Sequence, residues 1–168
     1  KTWTLLVGAF GTERSLIACS HPGARRTLLD QAGEIAGAMG LLPKANIASG
    51  VLTLNNGGRV QFAHGVEPPD FERVLRGRRF AYVGVDRIGE IPYEVSYRTL
   101  LEHLERGGIA RATLATAPAG WIQDHGPGTQ WVMERFMGCG LLLPGSSFPH
   151  LPPDFVDRLR PFAWRPTD

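Results

Sequence analysis

Apolar and polar positions change period several times along the chain. "TWTLLVGAF" (2–10) is mostly apolar and reads as a helix. "SLIACS" (15–20) is an apolar run of buried-strand length. In "GARRTLLDQAGEIAGAMG" (23–40), Leu28, Leu29, Ala32, Ile35, Ala36 and Met39 recur at helical spacing, and Gly40 ends the run, which predicts an amphipathic helix. "VLTLNNGGRVQFAHG" (51–65) places two alternating runs around Asn-Asn-Gly-Gly, the pattern of a β-hairpin. "FAYVGVD" (80–86) predicts a buried strand that ends in an acid. "PYEVSYRTLLEHLERGG" (92–108) predicts a helix with Pro92 near its first position and Gly107 at its end. "ARATLATA" (110–117) predicts a strand and "GTQWVMERFMG" (128–138) a short helix. The tail "LPPDFVDRLRPFAWRP" predicts one or two helical turns closed by prolines.

Strands alternating with helices predict an α/β domain with a mostly parallel sheet. Such sheets bind ligands beyond the carboxyl ends of their strands, and Asp86 and Thr116 both fall at predicted strand ends. The 168 residues fit one domain, and 43% apolar with 20% charged residues fits a folded soluble one. No apolar run approaches the roughly 18 residues of a membrane span, and the first residues lack a signal-peptide pattern. Two cysteines without paired spacing fit a reduced, cytosolic protein. The five histidines form no metal-ligand spacing. A net charge of +2 does not argue for nucleic acid by itself. "ERVLRGRRF" nevertheless holds four arginines between Arg73 and Arg79. It reads as a solvated, arginine-rich loop, with a phosphate-facing stripe as the alternative.

Asp86 is the first candidate for chemistry. A carboxylate at the end of a buried strand can hold Mg²⁺ beside a nucleotide's phosphates, or it can simply cap the next loop. Lys1-Thr2 before an apolar helix matches the end of a GxxxxGK[ST] loop, in which the lysine neutralises phosphate and the hydroxyl ligates Mg²⁺, or the two residues are simply an arbitrary start. Thr116 could sense a phosphate or make only a local backbone bond. Arg76 and Arg78, just before the Asp86 strand, could stabilise a transferring phosphoryl group or lie on the surface. Ser20-His21 are adjacent and no GxSxG elbow exists, so acyl-transfer chemistry has no support.

Together the segments resemble the ATPase domain of the large terminase subunit, the DNA-packaging motor of tailed bacteriophages. "LTLNNGGRVQFAHG" is similar to the family's hairpin around an Asn-Gly turn. "LRGRRFAYVGVDRIGEIP" is similar to its Arg-Gly segment, Walker B strand and following proline. "RATLATAPAG" resembles the strand that ends in the coupling motif, and "GTQWVMERF" the helix with Trp-Val and Phe. The likeness spans most of residues 50–160.

The resemblance implies a P-loop NTPase fold of the ASCE/RecA-like kind, mostly parallel, flanked by helices, with a β-hairpin insertion. It implies a core over 1–150 that starts inside the Walker A loop. Residues 151–168 would then lead toward a nuclease domain. It implies ATP and Mg²⁺ as cofactors, with phosphate on Lys1 and Mg²⁺ on Thr2 and Asp86. Arg76 would be the arginine finger, and Thr116 would couple hydrolysis to motion. The implied partners are double-stranded DNA, the portal protein, the small terminase subunit and further copies in a ring, in the host cytoplasm and away from membranes. Arg87 departs from the pattern, because an acid normally follows the Walker B aspartate and a guanidinium cannot take a proton from water. Glu90, three residues further on, is the candidate substitute base, provided the loop brings it back. Ala117, Thr129 and the extra "WIQDH" (121–125) are further departures. Two rival readings are a decayed, nucleotide-independent scaffold of this fold and another nucleic-acid-dependent P-loop ATPase.

Overall fold

The computed structural model describes residues 2–113. Lys1, Thr116, the segments predicted beyond 113 and the boundary at 150 lie outside the described residues.

The elements run α1 (Thr2–Phe10), β1 (Arg14–Cys19), α2 (Pro22–Ala38), β2 (Lys44–Asn46), β3 (Val51–Thr53), β4 (Arg59–His64), α3 (Pro68–Leu75), β5 (Phe80–Val85), α4 (Glu94–Glu102) and β6 (Leu104–Ala112). A single 3-10 turn, Ile88–Glu90, follows β5. Six strands form one sheet in the order β2-β3-β4-β1-β5-β6. β4, β1, β5 and β6 are parallel, and β2 and β3 continue the sheet antiparallel beyond β4. The hairpin expected over 51–65 is therefore β3 and β4 of the main sheet, closed by Leu54 N–H to Gly58 O at 2.9 Å.

Side chains of a strand point alternately to the two faces, so one buried strand feeds two cores. Ile17 and Cys19 of β1 join Val60, Phe62 and Tyr82 beneath α1 and α2, with Leu5, Leu6, Leu29 and Ala36. Leu16 and Ala18 face the other way and join Ala63, Val83 and Val85 beneath α3 and α4, with Phe71, Leu75 and Leu100. The result is three layers with the parallel strands in the middle. After β1 the chain moves to β4 on one side, then to β5 on the other. Such a reversal opens a crevice at the strands' carboxyl ends.

Three local outcomes differ from the pattern reading. "ERVLRGRRF" does not begin as a loop, because Glu72 to Leu75 belong to α3. Phe71 and Leu75 are spaced four apart and fully buried, and Asp70 caps the helix by accepting the Val66 and Glu67 N–H groups at 3.1 and 3.3 Å. Two prolines and only eight residues hid that helix. The helix predicted to reach 108 stops at Glu102, and Leu104 starts β6. Gly107, expected as a helix end, has φ +79° and lies in a strand irregularity, where the step Phe80 to Tyr82 on β5 meets the step Leu104 to Ile109 on β6. β2 was not foreseen at all, since Lys44–Asn46 is short and wholly exposed.

Candidate active site

β5 is apolar from Phe80 to Val85 because both of its faces are covered, and Asp86 is the first polar residue at its carboxyl end. Asp86 is only 6% exposed. A buried carboxylate needs hydrogen-bond partners. Its Oδ1 accepts from the Thr2 hydroxyl at 3.1 Å and from the Thr113 hydroxyl at 2.9 Å. Its backbone N–H continues the ladder to Ala18 O at 2.9 Å. Among the described residues no hydrogen bond falls on Oδ2. The first residue of α1, the end of β5 and the residue after β6 thus meet at one point.

Thr113 ties the loop after Asp86 to β6. Its N–H donates to Val85 O at 2.8 Å, its carbonyl accepts from Ile88 N–H at 2.8 Å, and its hydroxyl accepts from Arg87 N–H at 3.0 Å. Sequence reasoning put Thr116 at the strand end beside Asp86. In the structure Thr113 holds that place, and Thr116 lies outside the described residues. The signal that could have found Thr113 is the strand's true start at Leu104, which moves its end forward to Ala112.

Arg87 has φ 50° and ψ 56°, a left-handed backbone rare for a residue with a side chain. It begins the 3-10 turn that carries Glu90. The Arg87 guanidinium contacts Glu90 Oε1 at 3.1 Å, and the Ser20 hydroxyl donates to Glu90 Oε2. Ser20 follows β1, the strand beside β5. The loop thus brings Glu90 back toward the carboxyl edge. Ser20, passed over as half of an unpaired Ser-His, is one of its two holders. The same edge carries Cys19, whose thiol is pushed up to about 12, first by burial and then by the nearby Asp86 charge. A thiol so protonated is not a nucleophile near neutral pH.

Arg76 sits elsewhere. It caps α3 at the end from which the chain enters β5, so the length of β5 separates it from Asp86. At about 3.3 Å per residue that is about 20 Å. Arg76 does not reach the Asp86 of its own chain.

Hard oxygen donors suit Mg²⁺, which takes only one or two protein ligands and completes its shell with water and phosphate oxygens. The Thr2 hydroxyl and Asp86 carboxylate, 84 positions apart in sequence and 3.1 Å apart in space, fit that donor set. Among the described residues no group of three or more His, Cys, Asp or Glu gathers to hold a metal in a protein-only cage.

The chain folds as a three-layer α/β sheet with a helix N-terminus and a strand-end acid meeting at its carboxyl edge. Two solved structures share the fold: the large terminase from a thermophilic bacteriophage in complex with ADP, and the same phage's large terminase in another crystal form. The first has a TM-score of 0.56 at 16% identity, covering 73% of this chain and 32% of the other. The second has a TM-score of 0.56 at 14% identity, covering 79% and 34%. The chain therefore has a terminase-like ATPase-domain fold and spans about a third of those proteins' length. No protein-family profile matches the sequence, and a sequence search of curated proteins finds no match. No helix among the described residues is long and apolar enough to cross a membrane.

Proposed function

We propose that this chain is the ATP-hydrolysing part of a viral DNA-packaging motor of the large-terminase kind. The observation that carries the reading is the 3.1 Å contact between Thr2 at the start of α1 and Asp86 at the end of β5. It supports a Mg-nucleotide site because hydroxyl and carboxylate stand together where this fold binds phosphates.

In this reading Thr2 and Asp86 would hold Mg²⁺, which would supply positive charge beside the phosphates, and Lys1 would be the phosphate-neutralising lysine that the family likeness offers. Glu90 accepts the proton of the attacking water. Each of its oxygens accepts one bond, from Arg87 and from Ser20, and keeps a second lone pair for the water's proton. Thr113, bonded to Asp86 and to Arg87 N–H, passes a change at the carboxylate into β6. Thr116, further along the chain, is the coupling residue that the family likeness offers. Arg76, too far from its own Asp86, would serve as an arginine finger only toward a neighbouring copy in a ring. Double-stranded DNA, the portal protein and the small terminase subunit are the partners of this reading, in the host cytoplasm. A motor that must ignore sequence grips mainly phosphates.

One observation favours a second reading. The Arg87–Glu90 ion pair occupies the substitute base, and a domain so locked would be a decayed scaffold. Mg-ATP turnover, measured with and without duplex DNA, decides between them. Turnover lost in Glu90→Gln supports the motor. Absent turnover in the native protein with DNA and portal supports the scaffold. Arg87→Glu separates the roles further: a gain in rate means that Arg87 only displaced the base.

A further inference from the structure

The opposite edge of the sheet carries a second concentration of charge. A cavity of about 530 Å³ opens at the amino ends of the parallel strands. Arg14, Arg59, Arg78 and Arg79 line it, with Glu105 as the single carboxylate. Arg14 and Arg59 are registered partners on neighbouring strands β1 and β4. Like charges placed side by side on a sheet are unfavourable unless something offsets them. Glu105 offsets one, pairing with Arg14 at 2.9 Å. Arg59 has no side-chain partner among the described residues.

The cavity is also built rather than incidental. Gln61 is 5% exposed, and its amide nitrogen donates to the carbonyls of Ser49, Gly50 and Phe62. Its remaining oxygen accepts from Arg78 Nη1 at 2.7 Å. Gly77, with φ +69°, makes the turn that brings Arg78 to it, and Arg78 N–H closes that turn on Leu75 O at 2.9 Å. His103 Nδ1 lies 3.0 Å from Arg78 O on the other side. Arg79 is held as well, donating to Glu102 O. Two of the four arginines are thus oriented by the fold, and guanidinium forks match phosphate oxygens in pairs.

We propose that this amino-edge cavity is a phosphoryl-binding site, separate from the candidate site at the carboxyl edge. Its ligand is a phosphate diester of a nucleic-acid backbone or a free polyphosphate. The assignment holds whether or not the carboxyl edge hydrolyses ATP.

Two probes distinguish the sources: a fluorescein-labelled DNA duplex followed by anisotropy, and inorganic pyrophosphate followed by titration calorimetry. Both use the full chain at low salt in EDTA, which removes Mg-dependent binding at the other edge. Arg59→Gln changes an exposed side chain, so thermal melting should match the native protein. It should weaken whichever probe binds by about tenfold, the scale of one lost charged hydrogen bond. If the duplex is the ligand, the salt dependence of log K should also flatten by about one. Glu105→Gln should act in the opposite direction and tighten binding, which no loss of folding can imitate. Binding of the duplex alone assigns the backbone diester, and binding of pyrophosphate assigns a free polyphosphate. If neither probe binds, if Arg59→Gln binds as the native protein does, or if Glu105→Gln fails to tighten binding, the proposal is overturned.

Discussion

Helix α1 lies so close to β5 that Gly8 has no room for a side chain. A Cβ there would stand 2.9 Å from Tyr82 Oη, 3.0 Å from Cε2 and 3.1 Å from Cζ. The ring cannot step aside easily, because Tyr82 is 1% exposed and its hydroxyl donates to Leu5 O of the same helix at 3.0 Å. Gly8→Ala therefore sets two effects against each other. Alanine inside a helix gains about 1 kcal/mol over glycine. Overpacking a buried contact costs about 1–3 kcal/mol. The structure predicts that packing wins, with net destabilisation of up to about 2 kcal/mol. In a Tyr82→Leu background the obstruction is gone, and the same substitution should become stabilising by up to about 1 kcal/mol. Urea denaturation followed by circular dichroism, at constant m, reads both legs of the cycle. If Gly8→Ala stabilises the native protein by about 1 kcal/mol, α1 does not pack on Tyr82 as described. The position of Thr2 over Asp86 would then be wrong too.

Other consequences follow from single residues. Asp70→Ala should destabilise the protein by about 1 kcal/mol through loss of the α3 cap, as measured by urea denaturation. The Val66 and Glu67 N–H groups hold the Asp70 carboxyl below its usual range. The native protein should therefore lose this contribution as pH falls through the folded value, and the variant should show a smaller acid-side decline. Cys19, raised from 9.0 to about 12, gives stability that is complete below pH 9 and is lost above it, by up to about 1.4 kcal/mol per pH unit. In a Cys139→Ser background its thiol should resist iodoacetamide at pH 8 until the protein is unfolded. Equal rates in native and unfolded protein would contradict its burial. Thr113→Val removes the 2.9 Å bond to Asp86, and the Mg-ATP concentration needed for half-maximal rate should rise several-fold while the fold persists. An unchanged profile would remove Thr113 from the site.

Much of the architecture was legible because burial on two faces leaves a plain mark. β1 and β5 are short apolar runs, and α2 keeps one apolar stripe, so strand, helix and hairpin order could be read directly. Elements whose stability comes from elsewhere left little trace. β2 is exposed and exists through pairing with β3, and α3 rests on Phe71 and Leu75 under a carboxylate cap. The change from α4 to β6 depends on a parallel partner far away in sequence, and local propensity carried the helix reading past Glu102. Asp86 was legible because an acid closing an apolar strand is unusual. Thr113, bonded to Asp86, and Ser20, bonded to Glu90, were not, since a hydroxyl gains meaning only when its partner stands opposite. The arginine-rich run could be counted in the sequence, but Arg14 and Arg59 join it only through the sheet.

Mg-ATP hydrolysis by the native protein in the presence of duplex DNA, compared with Asp86→Asn and Glu90→Gln, tests the central claim most directly. The account predicts measurable Mg-dependent turnover that Glu90→Gln reduces by at least about a hundredfold, the usual scale for removing a general base, and that Asp86→Asn also lowers by weakening the hold on Mg²⁺. Turnover that survives Asp86→Asn at the native rate would contradict it.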